Sequence, residues 1–73
     1  MLKKARDKKK ITQEELSLRL NVNKSYISRL EKHPSTCNPT VKLILGLSKE
    51  LGIAHTKIYK YFVENINDPK NEN

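Results

Sequence analysis

The 73-residue sequence has one cysteine, two glycines and few aromatic residues, namely three tyrosines and one phenylalanine. One cysteine, Cys37, cannot close an internal disulfide. A disulfide-stapled secreted scaffold is therefore excluded, a reducing, cytoplasmic setting is expected, and Cys37 reads as an inert loop residue, with a redox sensor near loop cations as the alternative. No apolar run approaches the roughly 20 residues of a membrane span. The start, Met1-Leu2-Lys3-Lys4, has the charge of a signal-peptide n-region, but Lys8-Lys9-Lys10 follows where an apolar stretch would stand. There is no Gly-rich phosphate loop, no His/Asp/Ser set and no paired carboxylates near a plausible pocket. No enzymatic activity is expected and no catalytic residue is nominated. His33-x-x-x-Cys37 with the distant His55 is not a four-ligand zinc pattern, so no metal and no other cofactor is expected. The aromatics are too few and too scattered to stack on single-stranded bases.

What is abundant is positive charge. Lys and Arg total 15 against 8 Asp and Glu, a formal net charge of +7. Such an excess on so short a chain points to a polyanionic partner, nucleic acid before an acidic membrane surface. No helix pairs a large bare apolar face with a basic one, which argues against the membrane. A chain of this length makes one domain, and it hides only about 60% of the surface its unfolded form exposes. No repeat and no internal linker is visible.

The punctuation predicts a string of short helices. The first covers about Leu2 to Lys9, with Leu2, Ala5 and then Ile11 facing inward. Thr12-Gln13-Glu14-Glu15 is a capping box, with Ile11 and Leu16 placed as its hydrophobic staple. Leu16 and Leu20 lie four apart on one face, and Asn21 can take the left-handed conformation that ends the helix. Asn23 caps the next helix, Lys24 to Glu31, with Ile27 and Leu30 inward and Lys24, Ser25, Ser28 and Arg29 outward. After a loop from His33 to Asn38, Asn38-Pro39 reads as an N-cap with proline at the first helical position. Val41, Ile44, Leu45, Leu47, Ser48 and Leu51 form the inner stripe of the fourth helix, and Leu43 faces away from it. Gly46 marks a close helix contact and Gly52 closes the helix. A last helix runs from about Thr56 to Val63 or beyond. The expected domain is 1–64, and 65–73 is expected to be a polar tail.

A helix, a tight turn and a second helix with a polar outer face is the helix-turn-helix pattern. The segments Thr12-Gln13-Glu14-Glu15-Leu16, Ser25-Tyr26-Ile27-Ser28-Arg29-Leu30-Glu31, Asn38-Pro39-Thr40-Val41 and Leu51-Gly52-Ile53 together resemble the Cro/repressor-type, lambda-repressor-like (XRE) family. The resemblance covers about Leu2 to Phe62. It departs from the family at Ser17, where Ala is usual, at Asn21, where Gly is usual, and in the loop Lys32 to Cys37, which lacks the common Gly.

The resemblance implies an all-α, five-helix DNA-binding domain with the motif in helices 2 and 3. It implies a sequence-specific regulator of bacterial, phage or mobile-element origin, expected to repress as a homodimer on an inverted repeat. Its base-reading positions fall on Lys24, Ser25, Ser28 and Arg29. Arg29 is the strongest, because a guanidinium can donate two parallel bonds to guanine. Phosphate contacts are expected from Gln13, Asn23, Tyr26, Lys32, Asn38 and Lys42. Tyr26 has two other readings, a thymine methyl contact or a cover for the core edge. The run Lys3, Lys4, Arg6, Lys8, Lys9 and Lys10 adds long-range attraction or is a solvated face. Glu31 reads as a structural partner for a nearby cation. Dimer contacts are expected from Leu43, Tyr59, Tyr61, Phe62 and Ile66, although the aromatics also suit the monomer core. No small-molecule effector is evident. Restriction–modification controller proteins and antitoxin-type autoregulators share the fold. A non-specific basic nucleic-acid-binding or protein-interaction module is the competing class.

Overall fold

Thr12 opens the second helix as a full capping box. Its side-chain oxygen accepts from the Glu15 N–H at 3.0 Å, and the Glu15 carboxylate accepts from the Thr12 N–H at 2.9 Å. In the computed structural model, which describes residues 1–66 apart from the side chain of Ile66, this is one of five α-helices. They are α1 (Leu2–Lys8), α2 (Gln13–Leu20), α3 (Lys24–Lys32), α4 (Val41–Leu51) and α5 (His55–Ile66). A single 3₁₀ turn, Pro34–Thr36, lies between α3 and α4, and there is no strand among the described residues. The helix in α5 continues two residues past the expected boundary at 64, into the tail expected at 65–73; residues 67–73 lie outside the described residues.

The core takes one or more apolar residues from every helix: Leu2, Leu16, Ile27, Leu30, Ile44, Leu47, Leu51, Ile58 and Phe62, with Ile11 and Cys37 from the connections. Each fully buried Leu, Ile or Phe contributes about 1.5–3 kcal/mol of transfer free energy. Ile11 and Leu16 are both buried, so the staple forms. Asn21 ends α2 at φ 56° and Gly52 ends α4 at φ 68°, both left-handed as anticipated. Gly46 is a close approach: a Cβ there would stand 2.8 Å from Leu20 Cδ2, so α2 and α4 meet where a side chain is missing.

Several expectations are corrected. The N-cap of α4 is Thr40, whose Oγ1 accepts from the Leu43 N–H at 3.1 Å, rather than Asn38 with Pro39 as first helical residue. Cys37 is buried to 3% exposure in extended backbone, so the chain crosses the core edge before the helix can start. The stripe of α4 is also rotated. Leu43, Leu47 and Leu51 lie four apart on one side; Leu43 packs on its own core, while Val41 and Leu45 are exposed. Leu45 is two residues from Leu43, about 200° around the helix, and cannot share that face. Phe62 is 2% exposed and belongs to the monomer core, with Tyr61 packed edge-on against it at a centroid distance of 5.0 Å. Lys10 takes a left-handed φ of 58° with no glycine or asparagine to signal it, and the Ile11 N–H reaches back to the Arg6 carbonyl to close α1.

The bonds from Thr12, the backbone N–H first, hold the Glu15 carboxyl below the usual glutamate range. A pKa lowered in the folded state stabilises above the unfolded-state value, near 4.3, and that contribution disappears as pH falls through the folded value. Glu15→Gln should therefore lower the Tm at neutral pH, with the gap closing as the pH falls from the unfolded-state value through the lowered folded-state value. Thermal unfolding followed by circular dichroism across that range checks it; a gap independent of pH would refute the assignment.

Candidate nucleic-acid interface

The α2–α3 junction is built for a sharp reversal. Asn21 supplies the left-handed residue, the Val22 N–H donates to the Ser17 carbonyl at 2.9 Å, and Asn23 starts α3. Ser17, where the family has Ala, is 4% exposed and turns its hydroxyl onto the Glu14 carbonyl at 2.7 Å. Its polar atom is thus satisfied within its own helix, and the two helices can still close.

Helix α3 is divided along its length. Ile27 and Leu30 are buried, while Lys24, Ser25, Arg29 and Lys32 are exposed and Ser28 is half-buried. Positions 25, 28, 29 and 32 follow the three- and four-residue spacing of one helix face, so these side chains project together. Asn23 Oδ1 accepts from both the N–H and the hydroxyl of Ser25, each at 3.2 Å. That spends the Ser25 proton inside the protein and leaves its oxygen as an acceptor. It also leaves the Asn23 amide N–H groups as outward donors.

The far end of α3 is fixed by a buried ion pair that the sequence reading anticipated only for Glu31. Arg6 is not part of the open basic surface; it is 7% exposed. Its Nε donates to Glu31 Oε2 at 2.7 Å, Nη2 to Glu31 Oε1 at 3.2 Å, and Nη1 to the Ile11 carbonyl at 2.9 Å. The hydrogen bond to Glu31 raises the Arg6 pKa beyond its ordinary value against the opposing effect of burial. Gln13 Nε2 donates to the same Glu31 Oε1 at 2.9 Å. Gln13 is half-buried, and its amide retains a second N–H. The first turn of α2 already carries Glu14 and Glu15, which answer the helix dipole and oppose an incoming phosphate.

Tyr26 is half-buried and packs against the core, and burial pushes its phenol pKa up. Asn38 and Lys42 are exposed on either side of the α4 N-terminus. Tyr59, at 60% exposure, is the open one among the expected dimer residues; Ile66's side chain lies outside the described residues. Val63, which the sequence reading passed over, is exposed four residues after Tyr59. Among the described residues no helix is long and apolar enough to cross a membrane.

Two helices joined by a left-handed turn, the second polar on its outer side and packed through Ile27 and Leu30, form a helix-turn-helix unit. A family model described as Helix-turn-helix matches residues 2–58. The chain belongs to that family, the XRE group of lambda-repressor- and Cro-like domains. The function that this membership carries is DNA binding in transcription regulation. No curated protein and no solved structure matches the chain.

Removing Glu31 strands the Arg6 guanidinium in a nearly dry site and takes away a Gln13 partner. Glu31→Ala is expected to cost about 3–5 kcal/mol. Arg6→Met with Glu31→Leu should cost clearly less than the two single changes added together, because neither charge is then left alone. Urea unfolding of the four proteins measures this; simple additivity would contradict the coupling.

Proposed function

We propose that this protein is a sequence-specific repressor that acts as a homodimer on an inverted-repeat operator in double-stranded DNA. The single observation that carries the reading is the outer face of α3, where Lys24, Ser25 and Arg29 are exposed beside the half-buried Ser28 on a chain of net charge +7. In this reading Arg29 donates to guanine O6 and N7, Lys24 donates to a neighbouring acceptor, and Ser25 accepts from an exocyclic amine. Asn23 and the remaining N–H of Gln13 reach phosphates at the two helix starts. Lys32, Asn38 and Lys42 follow the backbone beyond α3.

The length of α3 supports a two-fold arrangement. Its nine residues rise about 14 Å, which spans roughly four base pairs. One copy reads half a site, and two copies reading across one helical turn give an inverted repeat. Tyr59 and Val63 lie on one ridge of α5, and both are exposed. We assign the dimer contact to that ridge, with Phe62 serving the monomer core instead.

Selection of bound duplexes from a random library at about 150 mM salt should enrich an inverted repeat with half-site centres about 10 base pairs apart. Arg29→Ala should relax preference at one base pair per half-site, a loss of about 1–3 kcal/mol of discrimination. Salt-sensitive binding with no enriched sequence would overturn the reading. Tyr59→Asp should convert the dimer to a monomer in sedimentation without lowering helicity. A wild-type protein that is monomeric both free and on a full palindrome would exclude the homodimer.

A further inference from the structure

Arg29 has two partners within the protein. Its Nη2 donates to the Thr36 carbonyl at 3.4 Å, and its Cζ stands 6.0 Å from the centroid of the Tyr26 ring. Each contact alone is weak. The first is longer than the usual N–H···O range, and the second lies at the outer limit of a cation–π contact. Their supports, however, are firm. The Thr36 N–H and hydroxyl both bond the His33 carbonyl, at 3.0 and 2.8 Å. The Cys37 N–H bonds the Pro34 carbonyl at 3.1 Å, and the buried Cys37 side chain anchors the turn from beneath. Tyr26 is held by its packing on the core, so its ring is a fixed platform.

We infer that Tyr26 and the Thr36 carbonyl are positioning groups that hold the Arg29 guanidinium for base reading, so that Tyr26 sets specificity without touching a base. The inference rests on the base-reading role proposed above for Arg29. Arginine carries five N–H donors, and Thr36 takes one. Enough remain for the two acceptors of guanine. Ordering a long side chain at an interface reduces affinity by a factor of about two to twelve, and a side chain already held in place avoids much of that loss. The ring presents its face to the guanidinium, so the phenol hydroxyl is not what the positioning uses.

The test compares duplex selection for the wild type, Arg29→Ala, Tyr26→Leu and Tyr26→Phe, with thermal unfolding of each. Arg29→Ala identifies the base pair that Arg29 reads. Tyr26→Leu should weaken preference at that base pair by roughly fivefold and leave the other positions unchanged, whereas Tyr26→Phe should restore it. Should Tyr26→Leu fail to fold, the free wild-type protein gives the answer by NMR. Nuclear Overhauser contacts between the Arg29 Hδ protons and the Tyr26 ring are expected, and their absence overturns the inference. Full preference in Tyr26→Leu, a uniform loss at every position, or an equal loss in Tyr26→Phe would each overturn it as well; a uniform loss shared by Tyr26→Phe would mark a phosphate contact by the hydroxyl. If Arg29→Ala changed no position, the base-reading assignment would fall, and this inference with it. If Arg29→Ala changed one position and Tyr26→Leu did not, only the positioning role would fall.

Discussion

Glu31 is the point on which the placement of α3 depends. Its carboxylate is 3% exposed and accepts from Arg6 of α1 and from Gln13 at the start of α2, while its own backbone belongs to α3. Three helices are thereby joined at one pair of oxygens. Hydrophobic contacts between Leu16, Ile27 and Leu30 hold α2 against α3, but apolar packing is non-directional and tolerates small slides. A bidentate guanidinium–carboxylate pair does not, because its two bonds share a plane and a spacing. The Arg6 bond to the Ile11 carbonyl extends the same constraint to the α1–α2 connection. Burying such a pair gains little net stability over apolar residues, so its value lies in fixing where the end of α3 stands relative to Gln13. In the proposed complex, an α3 that moved by an ångström against its neighbour would no longer present phosphate and base contacts in one register.

The opposite end of α3 is governed by a different kind of constraint. Asn23 spends its side-chain oxygen on Ser25, and the left-handed Asn21 fixes the turn before it. Between the two ends the outer face carries only short or flexible polar groups. This division lets the outer face vary without disturbing the fold, since Ile27 and Leu30 hold the packing and Glu31 holds the angle. The loop after α3 is tied in by burial of Cys37 and contact with α5, so the C-terminal helix supports the reading surface from behind.

Much of this was legible where a local rule has a single physical answer. A Thr-x-x-Glu box, an asparagine at a left-handed turn and a glycine after an apolar stripe each satisfy specific backbone groups, and each appears where the sequence puts it. The misreadings came where two local signals competed or a long-range contact decided. Asn38-Pro39 and Thr40 both qualify as a start for α4, and burial of Cys37, invisible to local pattern, selected the second. In α4, five of the first seven residues are apolar, so spacing alone did not fix which side faces in; the contact with α2 at Gly46 and Leu20 did. Arg6 read as one more member of a basic run because its partner stands 25 residues away. Lys10 adopts a positive φ with no side-chain signal, because closing α1 onto the Arg6 carbonyl requires it.

Removing Arg6 from the basic run changes how the remaining charge is to be understood. Lys4, Lys8 and Lys9 border a cleft of about 840 Å³ with Leu51, Gly52 and Lys57, and no residue of α2 or α3 lines it. Lys24, Arg29 and Lys32 stand instead on the face of α3. Under the proposed function the first group acts through its field, which falls off over about 8 Å at physiological salt. Under the same proposal Lys24 and Arg29 contact bases, where geometry discriminates one base from another, and Lys32 contacts the backbone. On that proposal attraction and recognition are separate: lysines of α1 and α5 raise encounter with any polyanion, and the face of α3 determines which encounters persist. The proposed specificity then depends less on the total charge of +7 than on how rigidly Glu31, Asn23 and the 3₁₀ turn hold that one face.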